Sequence, residues 1–395
     1  MTLDLARVIT SISKMVATVD PEHERHRFDA LRSIWNTLDP EDLDARLDHA
    51  GVTFLTVRQT QQIRDRIPLP AIPTNYAVAA TDGSMILPDR HSPARFYLLN
   101  IGLVYLRYGS DPMATLTSEP ILRFGEDELF VRAGPRRMPI NETILGMRRA
   151  VAELQAAVDL LEGEPLPAIA LVDGTLILWM LESLDDEIVE SLLPDFLKVL
   201  SVLEAYRIPV AGYISSPGAT DLFGALRVAA CDYPDHHRDI DCMDCWRRIM
   251  NEGHTAACDI LPRVTDRYVI EQVANLQPGE RTAAFPSESK ILSRYQAKHR
   301  VWFCYVHTGR EISRIEVPRW VADVPELLDR VHAIIWDQAQ LGRGYPVALQ
   351  EAHEQAVLSM GDRRLVEETV ERVLASHDVV VTRTGKDGSK RGRFV

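Results

Sequence analysis

The spacing of apolar residues separates a helical beginning from a mixed α/β middle. Within residues 1–66, apolar side chains such as Leu5, Val8 and Ile12 recur every three or four positions, which predicts amphipathic helices. The three prolines of residues 67–75 interrupt that pattern and predict a linker, because proline cannot continue a helix. The first 70 residues are therefore expected to form a helical N-terminal region.

Strand and helix patterns alternate after the linker. Residues 76–87 and 94–109 are rich in β-branched and aromatic side chains, which predicts two long strands. A one-sided apolar stripe predicts a helix over 140–162, and a short apolar run predicts a buried strand over 168–174. A helix over 186–206 and a strand after it repeat the alternation. The order predicts an α/β fold whose sheet is antiparallel first and parallel afterwards.

The last third of the chain adds a polar segment, a hairpin and more helices. The hairpin is predicted over 301–317, and the helices over 320–337, 346–359 and 362–375. The resulting domain prediction is a helical region (1–70), a first core part (71–230), a cysteine-containing insertion (231–262), a second core part (263–376) and a basic tail (377–395).

Composition limits the classes of function. The 395 residues carry 44 Lys+Arg and 57 Asp+Glu, a net charge of −13, which does not suit a general nucleic-acid coat. Hydrophobic residues make up 46%, enough for a sizeable core. No apolar run approaches 18 residues, and Asp4 lies where an export signal would be basic, so we expect a cytoplasmic protein without a membrane span.

Two segments share the pattern of apolar strand, Asp-Gly and hydroxyl residue. They centre on Asp82 and Asp173. One alternative is a hairpin turn at each Asp-Gly. If the two strands instead lie side by side, the carboxylates are neighbours that repel one another, and a divalent cation relieves that repulsion. Oxygen ligands favour Mg²⁺ or Mn²⁺.

A third acidic ligand is expected from the helix between these strands. Glu153 lies on the flank of its apolar stripe, next to small residues that permit close packing on a sheet. The alternative for Glu153 is a solvated edge position. Glu142 at the helix start is the competing ligand, although the helix dipole alone accounts for an acid there. A fourth or fifth ligand could come from Glu142 or Asp89.

The segment around residues 342–353 supplies a tyrosine and a histidine. Pro346 suits the first turn of a helix, which places Tyr345 at its boundary and His353 more than two turns inside. The two lie roughly 80° apart around the helix axis. Both could face a cleft; the alternative is a core tyrosine and a surface histidine.

Taken in order, these residues resemble the NurA nuclease family. The resemblance runs from about residue 76 to 360 and also includes the segments FPSESKILSRYQAKHRVWFCYVH and ISRIEVPRWV. It implies an RNase H-like fold, a homodimer and Mn²⁺-dependent cleavage of DNA as a 5′–3′ exonuclease and single-strand endonuclease. It also implies a hexameric HerA-type translocase as partner, in DNA end resection or defence. The residues that match the family's active site are Asp82, Glu153, Asp173, Tyr345 and His353.

Phosphodiester hydrolysis explains why these residue types are needed. Two Mn²⁺ or Mg²⁺ ions about 3.5–4 Å apart can activate a water and stabilise the leaving oxygen. The resemblance makes Asp82 the bridging ligand, with Glu153 and Asp173 as the other metal-binding acids. His353 is expected to bind the second metal or move a proton, and Tyr345 to contact the scissile phosphate or the water.

The cysteines predict a second, structural site. Cys242 and Cys245 form a CxxC pair between Cys231 and Cys258, a set that suits structural Zn²⁺. Four unrelated thiols are the alternative, and Cys304 is interpreted as a core residue. Further candidate zinc ligands are His236, His237 and His254.

Two other functions remain open at this stage. One is a catalytically silent DNA clamp or regulatory subunit of a ring ATPase, and the other is a zinc-stabilised interaction module. The chain has no GxxxxGK[ST] motif, so an ATP-driven step requires another chain. Basic clusters that could line a DNA channel, or form solvated faces, are Arg132, Arg136 and Arg137; Arg148 and Arg149; and Lys290, Arg294, Lys298 and Arg300.

Overall fold

The computed structural model describes residues 4–17, 20–89, 95–231 and 240–377. The strands are β1 (Arg66–Ile67), β2 (Tyr76–Ile86), β3 (Phe96–Tyr108), β4 (Met113–Phe124), β5 (Phe130–Ala133), β6 (Arg136–Pro139), β7 (Ala168–Asp173), β8 (Val210–Ile214), β9 (Arg281–Thr282), β10 (Phe285–Pro286), β11 (Val301–His307) and β12 (Ile312–Pro318). The helices are α1 (Leu5–Ala17), α2 (Pro21–Thr37), α3 (Pro40–His49), α4 (Glu142–Leu161), α5 (Asp186–Ala205), α6 (Asp221–Ala229), α7 (Cys242–Glu252), α8 (Asp266–Tyr268), α9 (Arg319–Ala322), α10 (Pro325–Leu341), α11 (Val347–Ala356) and α12 (Met360–Ala375).

One mixed sheet of ten strands organises the protein. Its order is β1-β9-β11-β12-β8-β7-β2-β3-β4, and β10 pairs with β11. The meander β2-β3-β4 is antiparallel, whereas β7 and β8 run parallel to β2. Helix α4 connects the meander to β7, and α5 connects β7 to β8. The expected RNase H-like mixed sheet, flanked by helices and antiparallel before it becomes parallel, is confirmed.

Helices cover both faces of the central strands. Along β2, Ala77 and Ala79 pack with α4 and α5, while Val78 and Ala80 pack with α10 and α11. Successive side chains of a strand point to opposite faces, so each face of β2 lies in a separate apolar cluster. Burial on both faces explains why the first half of β2 reads as an almost continuous apolar run.

A third apolar cluster joins the beginning of the chain to its second half. Trp35 of α2 and Leu47 of α3 share this cluster with Phe303 of β11. Ile240, just before α7, belongs to it as well. The helical N-terminal region and the cysteine-containing segment therefore pack on the far half of the same sheet. Their boundaries as domains stay a prediction.

The structure corrects several predicted elements. Residues 50–66 form no α-helix, only a short 3-10 helix at Thr60–Gln62. The predicted helix over 320–337 is two helices, α9 and α10, because Pro325 starts a new first turn. The Asp-Gly of residues 82–83 is no hairpin turn, since β2 continues through it. The polar insertion contains α7, whose first amides are capped by Asp241.

Strand β4 gave no apolar signal because its residues are almost all exposed at the sheet edge. The predicted basic tail lies outside the described residues from 378 onward. Among the residues that the structure describes, no helix combines the length and the apolar character that crossing a membrane requires.

Candidate active site

Two aspartates begin the site on neighbouring parallel strands. Thr81 of β2 pairs with Val172 of β7, and Asp82 and Asp173 are the next residue on each strand. The hydrogen-bonded register therefore places the two carboxylates at adjacent positions. Asp173 is the last residue of its strand, and Gly174 follows with φ +111°, a left-handed conformation that favours glycine.

Glu153 reaches the same point from the face covered by α4. A Cβ atom at Gly83 would lie 2.6 Å from Glu153 Oε1 and 2.8 Å from Arg149 Cγ, so only glycine leaves room for these side chains. The Thr81 hydroxyl donates to the Glu153 carbonyl at 2.9 Å and fixes the helix on the strand. The side chain of Glu153 is 8% exposed, so the alternative of a solvated edge position is wrong. Glu142 is exposed at the helix start.

A second glycine brings α11 onto the opposite face. Gly102 lies across from Asp82 on β3, and a Cβ atom there would lie 2.2 Å from the Ala352 carbonyl oxygen. This close approach puts His353 beside Asp82, with 2.8 Å between Nδ1 and Oδ2. The side chain of His353 is 61% exposed and that of Asp82 16%, so the pair opens to solvent.

The last turn of α11 is tied to the same strands by hydrogen bonds. Asn100 Nδ2 donates to the carbonyls of Gln355 and Ala356 at 3.2 and 3.0 Å. Ser84 also donates to the Ala356 carbonyl. These bonds occupy carbonyls that a helix end otherwise leaves without partners. They fix α11, and thereby His353, relative to Asp82.

Tyr345 is positioned by a tight turn between α10 and α11. Gly344 has φ +117°, and a Cβ atom at Gly342 would lie 1.9 Å from the Tyr345 carbonyl oxygen. The ring of Tyr345 meets that of Tyr213 edge to face, with 5.2 Å between their centroids. Since Tyr213 pairs with Asp173 across β8 and β7, this contact sets the Tyr345 hydroxyl against the Asp173 carboxylate.

Burial and mutual repulsion change the protonation of the acids. Burial, reinforced by Asp82 and Asp173, raises the pKa of Glu153 to about 8, although Arg149 opposes the shift. Burial also raises the pKa of Asp173, and the hydroxyl of Tyr345 counteracts it. Arg149 and Glu153 form an ion pair of 3.4 Å between Nε and Oε1. Neither of these two atoms has a hydrogen bond within the described chain.

The donor set suits a hard divalent cation. Three carboxylates and an imidazole are ligands of Mg²⁺ and Mn²⁺, and Glu153 Oε1 is a buried oxygen without a hydrogen bond. Within the described ranges, no three His, Cys, Asp or Glu side chains stand close enough together to hold an ion as arranged. Arg149 supplies the positive charge at Glu153 in this arrangement, so an ion would require the Glu153 carboxylate to turn away from the guanidinium.

Sequence reasoning missed four supporting residues. Arg149 was assigned only to a basic cluster, although its i,i+4 spacing to Glu153 signals a pair on one helix face. Gly102, Asn100 and Ser84 contact α11, about 250 positions later in the chain, and no local pattern reveals such a contact.

The cysteine cluster is assembled only loosely. Cys242 and Cys245 lie in the first turn of α7, and Arg227 Nη2 is 3.7 Å from Cys258 Sγ. Burial raises the pKa of the Cys242 and Cys245 thiols, and both Cys231 and Cys258 add to the shift. The four thiols are therefore near one another without forming a metal site as they stand. The zinc prediction stays a prediction; His236 and His237 lie outside the described residues.

Most of the candidate DNA-channel cations are paired with acids. The ion pairs are Arg132–Asp127, Arg136–Asp185, Arg137–Glu126, Arg148–Glu128, Arg294–Asp186 and Lys298–Glu204. Pairing reduces the long-range attraction of these clusters for a polyanion.

Comparisons with known proteins identify the family. A NurA domain model matches residues 76–358, which is well over half of the chain. No curated protein sequence matches. One similar solved structure is a crystal structure of NurA with manganese, 15% identical, covering 94% of this chain and 98% of that one, with a TM-score of 0.35.

Another is the N-terminal RNase H domain of a Mycobacterium tuberculosis protein, solved as a fusion with maltose-binding protein. It is 14% identical, covers 34% of this chain and 78% of that one, and has a TM-score of 0.18. The family model includes every element that carries the acids, Tyr345 and His353. The chain belongs to the NurA family of nucleases.

Proposed function

We propose that this protein is a Mn²⁺- or Mg²⁺-dependent deoxyribonuclease whose site consists of Asp82, Glu153, Asp173, Tyr345 and His353. The observation that carries the proposal is the approach of two strand aspartates to a buried helix glutamate whose Oε1 lacks a hydrogen bond. Neighbouring carboxylates repel one another, and a cation bound between them would relieve that repulsion.

Each side chain has a role that follows from its place. Asp82 contacts His353 and raises the pKa of Glu153, so it would be the central ligand of the ions, with Glu153 and Asp173 completing the acidic set. A pair of divalent ions held there would supply activation of a water and stabilisation of the leaving oxygen. His353 is exposed on the cleft side and can bind an ion or carry a proton. Tyr345, with a raised pKa, stays protonated and donates to a phosphate oxygen.

The family resemblance supplies the finer proposal. We infer 5′–3′ exonuclease and single-strand endonuclease activity, a homodimer, and a HerA-type hexameric translocase that feeds DNA into the site during end resection or defence. The net charge of −13 and the pairing of the basic clusters agree with a nuclease that binds free DNA weakly. We also propose that this activity takes place in the cytoplasm.

Cleavage of end-labelled DNA tests the proposal. We expect cleavage of single- and double-stranded substrates with Mn²⁺, less with Mg²⁺ and none with EDTA, and loss of activity in Asp82→Asn. Equal cleavage by the wild type and by Asp82→Asn would contradict the assigned site. No cleavage even with the ATPase partner present would favour the silent clamp.

Structural zinc is a separate proposal with its own test. Metal analysis of the purified chain is expected to find one zinc per chain, lost in the double variant Cys242→Ser with Cys245→Ser. Absence of zinc in protein prepared without chelators would contradict the zinc proposal and favour the alternative of four unrelated thiols. Neither result bears on the nuclease site.

A further inference from the structure

A cavity of about 460 Å³ opens on the sheet face that carries α4, lined by residues of β8, α6 and β12 and of the loops beside them. That volume lies within the range of small-ligand sites. Phe54, Trp179, Ile214 and Pro217 form apolar walls. Trp179 is 37% exposed, so one of its surfaces is free to contact a ligand.

The floor of this cavity carries a buried charged cluster. Arg314 is 3% exposed and pairs with Glu316 at 2.9 Å and with Asp221 at 3.2 Å. These bonds use Nε and Nη1 of the guanidinium; Nη2 donates to no residue in the described part of the chain. Asp221 Oδ1 accepts no hydrogen bond from any other described residue. One donor of Arg314 and one buried acceptor of Asp221 thus have no partner on another described residue, and both side chains line this cavity.

The cavity is coupled to the acidic site through the chain that follows Asp173. Thr175 Oγ1 and Leu176 N both donate to Glu316 Oε2, at 2.7 and 3.0 Å. Ile214, which lines the cavity, is the residue after Tyr213, and Tyr213 pairs with Asp173. The cavity and Glu153 therefore lie on the α4 face, while Asp82 and Asp173 approach the same end of the sheet from the α11 face.

We propose that this cavity holds one unpaired nucleobase of the DNA strand being cleaved, stacked on Trp179 with its polar edge toward Arg314 and Asp221. This inference rests on the proposed nuclease function. A phosphate is a poor occupant because Asp221 and Glu316 already outnumber the single guanidinium. A base is neutral, offers donors and acceptors on one edge, and presents a flat face to an aromatic ring. A paired base cannot enter, so the cavity selects single-stranded DNA at the site.

An abasic scan tests this inference. Single-stranded oligonucleotides that carry one abasic residue, moved stepwise along the strand, are assayed for cleavage with Mn²⁺ and for binding with Ca²⁺ in its place. We expect one position, at a fixed distance from the cleaved bond, where losing the base slows cleavage and weakens binding about tenfold.

Variants of the cavity wall provide the second arm. A Cβ atom at Gly218 meets nothing within 4 Å, and this residue lines the cavity, so Gly218→Leu narrows it without backbone strain. We expect Gly218→Leu and Trp179→Ala to weaken binding of the intact strand about tenfold and to remove the abasic effect. Gly218→Ala, Trp179→Phe and the surface variant Trp246→Ala are controls that should retain it.

Each outcome decides between the two proposals. Normal cleavage with a flat abasic scan would overturn the base site and leave the nuclease function standing. Position-dependent binding without cleavage under any metal would support the base site and contradict the nuclease. Neither binding nor cleavage, with the partner ATPase present, would overturn both.

Discussion

The protein contains two clusters of the same composition, three carboxylates and one arginine. The acidic site has Asp82, Glu153 and Asp173 with Arg149, and the cavity floor has Asp221, Asp266 and Glu316 with Arg314. Both lie on the sheet, and both raise the pKa of a carboxyl through burial. They differ in how the carboxylates are compensated.

The cavity cluster is compensated largely by protein groups. Asp266 accepts from the amides of Leu222 and Phe223, at 3.0 and 2.8 Å, in the first turn of α6. It also accepts from the Tyr305 hydroxyl. Amides at a helix start favour a negative charge. The N-cap residue of α6, Thr220, makes no side-chain hydrogen bond to these amides, and Asp266 caps the helix in its place.

The acidic site has few such partners. Glu153 Oε1 has only the ion pair with Arg149. Asp82 accepts from the Gly83 amide at 2.8 Å and contacts solvent-exposed His353, and Asp173 accepts from the Tyr345 hydroxyl. Carboxylates that protein donors satisfy are part of the fold, whereas carboxylates left without donors are available to a cation. The difference in hydrogen bonding, more than the residue types, distinguishes a functional cluster from a structural one.

Removing an acid from each cluster should have opposite effects. Asp173→Asn is expected to lower DNA cleavage at least about a thousandfold, because it removes a metal ligand and a negative charge from the site. Its free energy of unfolding should be unchanged or raised, since repulsion is relieved. Cleavage kinetics and denaturant unfolding measure the two quantities. Wild-type cleavage activity in the Asp173→Asn variant would show that Asp173 is not a metal ligand.

Asp266→Ala is the counterpart in the cavity cluster. It leaves two helix amides and the Tyr305 hydroxyl without their acceptor, so the free energy of unfolding should fall by about 3–5 kcal/mol. Cleavage per folded molecule should stay within a few-fold of wild type. A large loss of activity in fully folded protein would show that the clusters are not separable.

Gly102→Ala tests whether close packing of α11 places His353. The added methyl would lie 2.2 Å from the Ala352 carbonyl oxygen and 2.7 Å from the Ala356 amide nitrogen. We expect about 2 kcal/mol of destabilisation and at least about a tenfold loss of cleavage. Gly218→Ala, where the methyl meets open space, is the matched control. Equal activity of both variants would mean that α11 can shift without cost.

The raised pKa of Glu153 predicts a pH dependence in metal-free protein. Between its ordinary value of 4.5 and about 8, the unfolded chain loses this proton and the folded chain keeps it, so stability falls as pH rises. Asp266, with a pKa of about 6, contributes to this pH dependence only at the lower end of the pH range. Between pH 6.5 and 8.5 in EDTA, we expect the free energy of unfolding of the wild type to fall by about 2 kcal/mol. The Glu153→Gln variant should not show this fall.

The affinity for a metal ion should also depend on the protonation of Glu153, but it should rise with pH where stability falls. A cation needs the carboxylate, so binding releases a proton below pH 8 and becomes tighter as pH rises toward 8. Calorimetric titration of Mn²⁺ in two buffers of different ionisation enthalpy measures the released proton. No release at pH 7 would show that Glu153 is already ionised or is no ligand.

The sequence predicts this fold well where an element is buried on a regular face. The predicted helix over 140–162 and strand over 168–174 match α4 and β7 to within two residues, because their apolar stripes face the core. Strand β4 escaped prediction because an exposed edge strand needs no apolar alternation.

The residues of the site also divide into those that a local sequence pattern predicts and those that it does not. The repeated Asp-Gly pattern drew attention to Asp82 and Asp173 because the identical local motif occurs on two strands. Glu153 could not be separated from a surface residue, since its burial depends on Gly83 of another element. The Arg314 cluster gave no signal, because its members come from β12, α6 and α8 and meet only in the folded chain.

The most direct test of the account compares Asp173→Asn with Asp221→Asn for Mn²⁺ binding and DNA cleavage in the full chain. Each substitution neutralises one aspartate in a cluster of like composition, Asp173 being exposed and Asp221 buried. The account predicts that Asp173→Asn loses both Mn²⁺ binding and cleavage while Asp221→Asn keeps Mn²⁺ binding. Loss of Mn²⁺ binding in Asp221→Asn alone would contradict it and move the metal site to the cavity.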